Sequence, residues 1–151
     1  MIRTNFNPTL ITERFVVTFT DFSAAAVADT INLLALPKGT IVRGVRIKQT
    51  TAFTDGAGCT ATLEVGSLAI TDTDLFAAAY DVAAAPADTT AQMTSGWKAG
   101  TYAADTLTAT LTCNVNTDTL TAGVALIDVA LEYMPDLTAT GIPAGTGGGY
   151  V

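Results

Sequence analysis

Over much of this chain threonine alternates with small or branched apolar residues, most strictly in Thr106-Leu107-Thr108-Ala109-Thr110-Leu111-Thr112-Cys113. A two-residue period sends successive side chains to opposite faces of an extended backbone. The pattern therefore demands β-strands with one face in a core and the other in water. Threonine suits the outer face, because its β-branch favours extended backbone while its hydroxyl stays solvated or bonds across strands. The same period marks residues 13–22, 29–36, 40–49, 60–65 and 123–133, which makes the chain all-β. With 151 residues, 49% of them hydrophobic and 14% charged, the chain can bury one core and is expected to form a single domain. No apolar run approaches the roughly 20 residues of a membrane-spanning helix, and no membrane partner is expected.

Turn chemistry divides the pattern. Pro37-Lys38-Gly39 separates residues 29–36 from 40–49, and Asn116-Thr117-Asp118-Thr119 separates residues 106–115 from 123–133. Each pair reads as a β-hairpin. Residues 24–28 are too few to nucleate a helix and read as loop, as do residues 50–58 with Asp55-Gly56. Thr71-Asp72-Thr73-Asp74 offers capping side chains ahead of Leu75-Phe76-Ala77-Ala78-Ala79-Tyr80, so one short helix is expected there. Residues 89–94 read as extended and residues 96–100 as a turn. In residues 40–49, Ile41, Val45 and Ile47 share one face, with Val42, Gly44, Arg46 and Lys48 on the other. Arg43 then falls on the apolar phase, which predicts a bulge, an edge position or a partner carboxylate.

The ends break the pattern. Asn5, Asn7 and Pro8 make residues 1–12 an N-terminal arm with no secretory signal. Residues 135–151, with Gly141, Gly145, Gly147, Gly148 and Gly149, make a C-terminal arm that cannot fold alone. The domain proper is expected over residues 13–134.

The chain holds no histidine, which removes the commonest general base and the imidazole metal ligand. Asp72 and Asp74, and the run Asn114, Asn116 and Asp118, have the oxygen ligands of a calcium site. They lack the glycine and terminal glutamate of an EF-hand loop and read as turn formers. The remaining carboxylates are scattered singly and suit no glycosidase pair. The glycine-rich tail lacks the lysine, preceding strand and following helix of a phosphate loop. Neither catalysis nor a metal or cofactor is expected. Cys59 and Cys113 fall on apolar strand phases and read as buried free thiols.

Charge is more telling. The net charge is −7, which argues against nucleic-acid binding, yet Lys38, Arg43, Arg46 and Lys48, four of the seven basic residues, crowd into one turn and strand. They form either a docking stripe or edge charges that discourage strand pairing. Trp97 and Tyr102 could contact a sugar or a partner, and Ile142 and Tyr150 are candidate partner contacts in the tail.

From Leu33-Leu34-Ala35-Leu36-Pro37-Lys38-Gly39-Thr40-Ile41-Val42-Arg43-Gly44-Val45-Arg46-Ile47-Lys48 through Thr51-Ala52-Phe53 to Ala61-Thr62-Leu63-Glu64-Val65-Gly66, the chain resembles small virion structural proteins of tailed bacteriophages. The resemblance spans roughly residues 13–133. It implies a β-sandwich of jelly-roll type and a capsid decoration or cement protein, commonly trimeric. Such a protein is made in the host cytoplasm and covers junctions between major capsid subunits on the head's exterior. A place in the neck, tail or a fibre is the alternative. A carbohydrate-binding module that uses Trp97 and Tyr102 is the alternative from another class. Arms that order on docking would spread contacts over neighbouring subunits, with multivalency offsetting the entropy lost.

Overall fold

The computed structural model describes residues 9–84 and 104–133. Within them the alternating segments form strands β1 (Thr9–Thr18), β2 (Ala28–Leu36), β3 (Thr40–Thr54), β4 (Ala61–Ser67), β5 (Asp72–Asp81), β6 (Asp105–Cys113) and β7 (Ala122–Tyr133). A three-stranded sheet runs β1-β7-β3 and a four-stranded sheet runs β2-β6-β4-β5, with every pairing antiparallel. This is the expected all-β sandwich. The pairings β1·β7, β2·β6 and β4·β5 nest inside one another along the chain, as in a jelly roll.

The core lies between the sheets, as the period requires. On β7 the side chains of Ala125, Ile127, Val129 and Leu131 are wholly buried, and on β6 so are those of Leu107, Ala109 and Leu111. Phe22 and Phe53 close one end, their rings edge to face with centroids 6.3 Å apart. Gly123, at φ 152°, lies where a Cβ would come within 2.5 Å of the Phe53 ring, so no other residue fits beneath it. Buried Gln49 ties β3 to the chain beyond β5: its Nε2 donates to Val82 O at 2.6 Å and to Ala84 O at 2.7 Å. The Phe53 N–H reaches Val82 O at 2.8 Å, so β3 lies over the β5 border of the other sheet.

Both expected hairpins are corrected. β2 pairs with β6 whereas β3 pairs with β7, and β6 and β7 belong to different sheets. Pro37-Lys38-Gly39 is therefore a corner between sheets. It is closed by the Thr40 N–H and hydroxyl, which both donate to Pro37 O, at 3.1 and 2.7 Å, with Gly39 at φ 84°. A short polar turn serves a corner as readily as a hairpin, and alternation states which side is buried without naming the partner strand.

The expected helix is also corrected, because residues 72–81 are β5. Leu75, Phe76 and Ala77 are buried in succession, which no exposed helix would allow. The step from Val65 to Ser67 on β4 is matched by the longer step from Ala77 back to Asp72 on β5. This bulge carries β5 over the outer face of β4 at Gly66, where a Cβ would sit 2.0 Å from Asp72 O. The Asp72 carboxylate of the supposed cap serves a turn instead: its Oδ1 accepts the Asp74 N–H at 3.3 Å. Residues 50–54 were expected as loop but continue β3, with register shifts between Gln49 and Thr51 and between Thr51 and Thr54. β1 begins at Thr9, upstream of the alternation that starts at Glu13. Residues 1–8, 85–103 and 134–151, with most of the N-terminal arm, the whole C-terminal arm, the segments 89–94 and 96–100, Trp97, Tyr102, Ile142 and Tyr150, lie outside the described residues.

Candidate docking surface

The basic residues are positioned by β3, which is an edge strand of the three-stranded sheet. The register shifts between Val42 and Gly44, so Arg43 is the extra residue of a bulge. Val42 and Val45, three residues apart and so on opposite faces of an unbroken strand, are both buried, and Arg43 is left outside. The bulge thus moves Val42 into the core and Ile41 to the outer phase, which corrects the faces read from alternation. All three explanations offered by the sequence hold together: Arg43 is bulged, on an edge, and paired through its Nε with Glu132 of β7. That hydrogen bond holds the Arg43 guanidinium above its ordinary pKa.

Next along the sheet, Arg14 of β1, Asp128 of β7 and Arg46 of β3 stand in one cross-strand row. Arg14 Nε donates to Asp128 Oδ1 at 2.6 Å and Nη2 donates to Oδ2 at 2.8 Å, the bidentate fork of a guanidinium on a carboxylate. This fork, with the Arg14 charge and then that of Arg46, holds the Asp128 carboxyl below the usual carboxylate range against its partial desolvation. Thr12, Gly44, Val45, Arg46, Asp128 and Ala130 line a shallow depression of about 240 Å³ beside the row. Gly44 and Ala130 are opposite one another, and nothing lies within 4 Å of where a Gly44 Cβ would be, so the depression follows from missing side-chain volume. Lys48 falls opposite Leu126, and Val16 flanks Leu126 from β1. Val16 is 59% exposed and Leu10, on the same phase, is 67% exposed. Lys38 is exposed in the corner before β3.

The structure therefore brings Arg43, Arg46 and Lys48 together on one outer face. It adds partners that sequence reasoning missed as a group: Arg14, Asp128 and Glu132. The two-residue period of residues 123–133 sends Asp128 and Glu132 outward, away from Ile127, Val129 and Leu131, but only the register sets them between β1 and β3.

The other residues weighed for chemistry serve the fold. Asn114 Oδ1 accepts the Thr60 N–H at 2.8 Å. Buried Asp105 accepts from the Ser67 hydroxyl, from the Ala69 N–H at 2.9 Å and from the Thr106 N–H at 2.6 Å, which fixes the turn between β4 and β5. Cys59 and Cys113 are free, buried thiols, and burial, with Cys59 nearby, pushes the Cys113 thiol up to about 11. The Cys113 thiol therefore stays protonated and unreactive at neutral pH.

No protein-family model matches the chain, and no curated protein matches it. Among solved structures, a chain of the cyanophage Pam1 capsid asymmetric unit shares the fold, with a TM-score of 0.61 and 23% identity over 89% of this chain and 91% of that one. A chain of the acidic stable capsid structure of Helicobacter pylori bacteriophage KHP30 shares it too, with a TM-score of 0.53 and 18% identity over 85% of this chain and 94% of that one.

Proposed function

We propose that this chain is a structural subunit of a bacteriophage virion, a decoration protein that binds the outer surface of the head and stabilises the shell. The observation that carries this reading is the sharing of one sandwich, over nearly the full length of each chain, with chains from two phage capsid structures. The surface agrees with a docking role. The buried carboxylate Asp105 is consumed by a turn, both thiols are buried, and the polar groups of the three-stranded sheet form a row across an open face. In this reading the partners are the major capsid protein and further copies of the chain, in a trimer. The arms reach over neighbouring subunits, and the basic stripe from Lys38 to Lys48 contributes to contact.

Copy number tests the location: hundreds of copies per particle, counted by quantitative mass spectrometry of purified virions, are expected for a shell protein. A handful would move it to the neck, tail or a fibre. The arms are tested by deleting residues 1–8 and 137–151 together, since residues 9–12 are paired in β1 and belong to the fold. Occupancy on particles is expected to fall. Unchanged occupancy would discard the arm mechanism.

A further inference from the structure

The charges of the two sheets differ in sign. The strands of the three-stranded sheet carry Arg14, Arg43, Arg46 and Lys48 against Glu13, Asp128 and Glu132. The strands of the four-stranded sheet carry Asp29, Glu64, Asp72, Asp74, Asp81 and Asp105 and no basic residue. Arg46 and Lys48 are exposed on one surface, Asp74 and Asp81 are exposed on the border strand of the other sheet, and Glu64 is half-buried on β4, the strand paired with that border. Each patch has apolar neighbours. Leu10 and Val16 accompany the basic face, and Leu68 and Ile70, 53% and 54% exposed, precede β5 in its turn.

We propose that copies of this chain associate head to tail. The outer face of the three-stranded sheet of one copy, around Arg46 and Lys48, seats on the acidic border of the four-stranded sheet of the next, around Glu64, Asp74 and Asp81. The inference rests on the reading of the chain as a virion subunit, and it names the surfaces that join its copies. Complementary charge is what selects a second copy as the occupant, because one sequence supplies both the basic face and the acidic border. The two patches are different surfaces, so the contact is heterologous, and it ends only when a ring closes. The small residues Gly44, Ala130 and Thr12 leave the depression that receives a side chain of the neighbour.

The test is sedimentation of the purified full chain, at low and high salt, with charge swaps. Arg46→Glu/Lys48→Glu is expected to weaken self-association by about tenfold or more at low salt, and Glu64→Lys/Asp74→Lys is expected to do the same. The chain that carries all four changes is expected to recover association to within a few-fold, since the complementarity is restored with its signs exchanged. Raising salt from about 50 mM to about 1 M is expected to weaken the parent's association, because charges exposed at a rim are screened. Three results overturn the proposal: a parent that stays monomeric, association indifferent to both single swaps and to salt, or a four-change chain that melts like the parent yet does not recover. Particle occupancy is measured apart from this. A monomer that still decorates heads sinks the ring and spares the virion reading, whereas a ring that never binds particles does the reverse.

Discussion

The outer faces of the two sheets solve opposite problems. On the three-stranded sheet the face is open: Gly44 has no neighbour within 4 Å of a prospective Cβ, and Arg43 and Arg46 are exposed on either side of it. On the four-stranded sheet the corresponding surface is partly covered by its own chain, for β5 crosses Gly66, and Thr108 and Thr110 on the outward phase of β6 are only 2% and 5% exposed. The same threonine-rich alternation therefore yields one face that its own chain partly covers and one that is left bare. A sheet that covers itself contributes stability, while a sheet that leaves its face bare contributes a surface for others.

The sharpest way to break that contrast is a pair of glycine substitutions. Gly66→Ala sets a methyl 2.0 Å from the Asp72 carbonyl and must push β5 off the sheet, so a loss of more than about 4 kcal/mol in denaturant unfolding is expected. Gly44→Ala should stay within about 0.5 kcal/mol of the parent. Equal losses would mean that the two faces are not different. The shared core comes next: Ile127→Ala from β7 and Leu111→Ala from β6, both wholly buried, should each cost about 2–5 kcal/mol in the same measurement. A much smaller cost on one side would show that the sheets unfold separately.

A subtler difference lies in the hydroxyls. Thr30 and Thr110 share a hydrogen bond at 2.9 Å on the covered face. Thr30→Val strands the buried Thr110 hydroxyl and should cost about 1–3 kcal/mol, and adding Thr110→Val should recover much of it. The smallest effect belongs to the open face. Asp128 titrates below the usual carboxylate range, so its pairing with Arg14 stabilises the fold above that range and the contribution disappears as pH falls through the folded value. In Asp128→Asn the acid limb of the stability curve should flatten slightly, with neutral-pH stability little changed, because Arg14 is exposed. An acid limb identical to the parent's would leave the row without energetic weight.

How much of this was legible in the sequence depends on what a two-residue period encodes. Residues 106–113 announced β6 in full, and Arg43 announced its own bulge, because a charge on an apolar phase has few ways to be accommodated. Partner choice was silent. The corner at Pro37-Lys38-Gly39 has the composition of a hairpin turn, and the alternation of β2 and β3 would satisfy either arrangement. β5 was misread because Thr71-Asp72-Thr73-Asp74 has local capping chemistry, while the contact that makes the segment extended, its passage across Gly66, is tertiary. The row of charges was half legible: a two-residue period sends Arg14, Arg46 and Asp128 outward, but their alignment across three strands exists only through the register of β7 with β1 and β3.

That register has a consequence for how the molecule comes into being. β7 is the middle strand of its sheet and Thr9 pairs with Tyr133, so during synthesis β1 waits for almost the whole chain to leave the ribosome before it finds its neighbour. Closing so long a loop is slow. The reverse step demands that β1 and β7, far apart in the chain, part together, so the folded domain should be long-lived even where its equilibrium stability is ordinary.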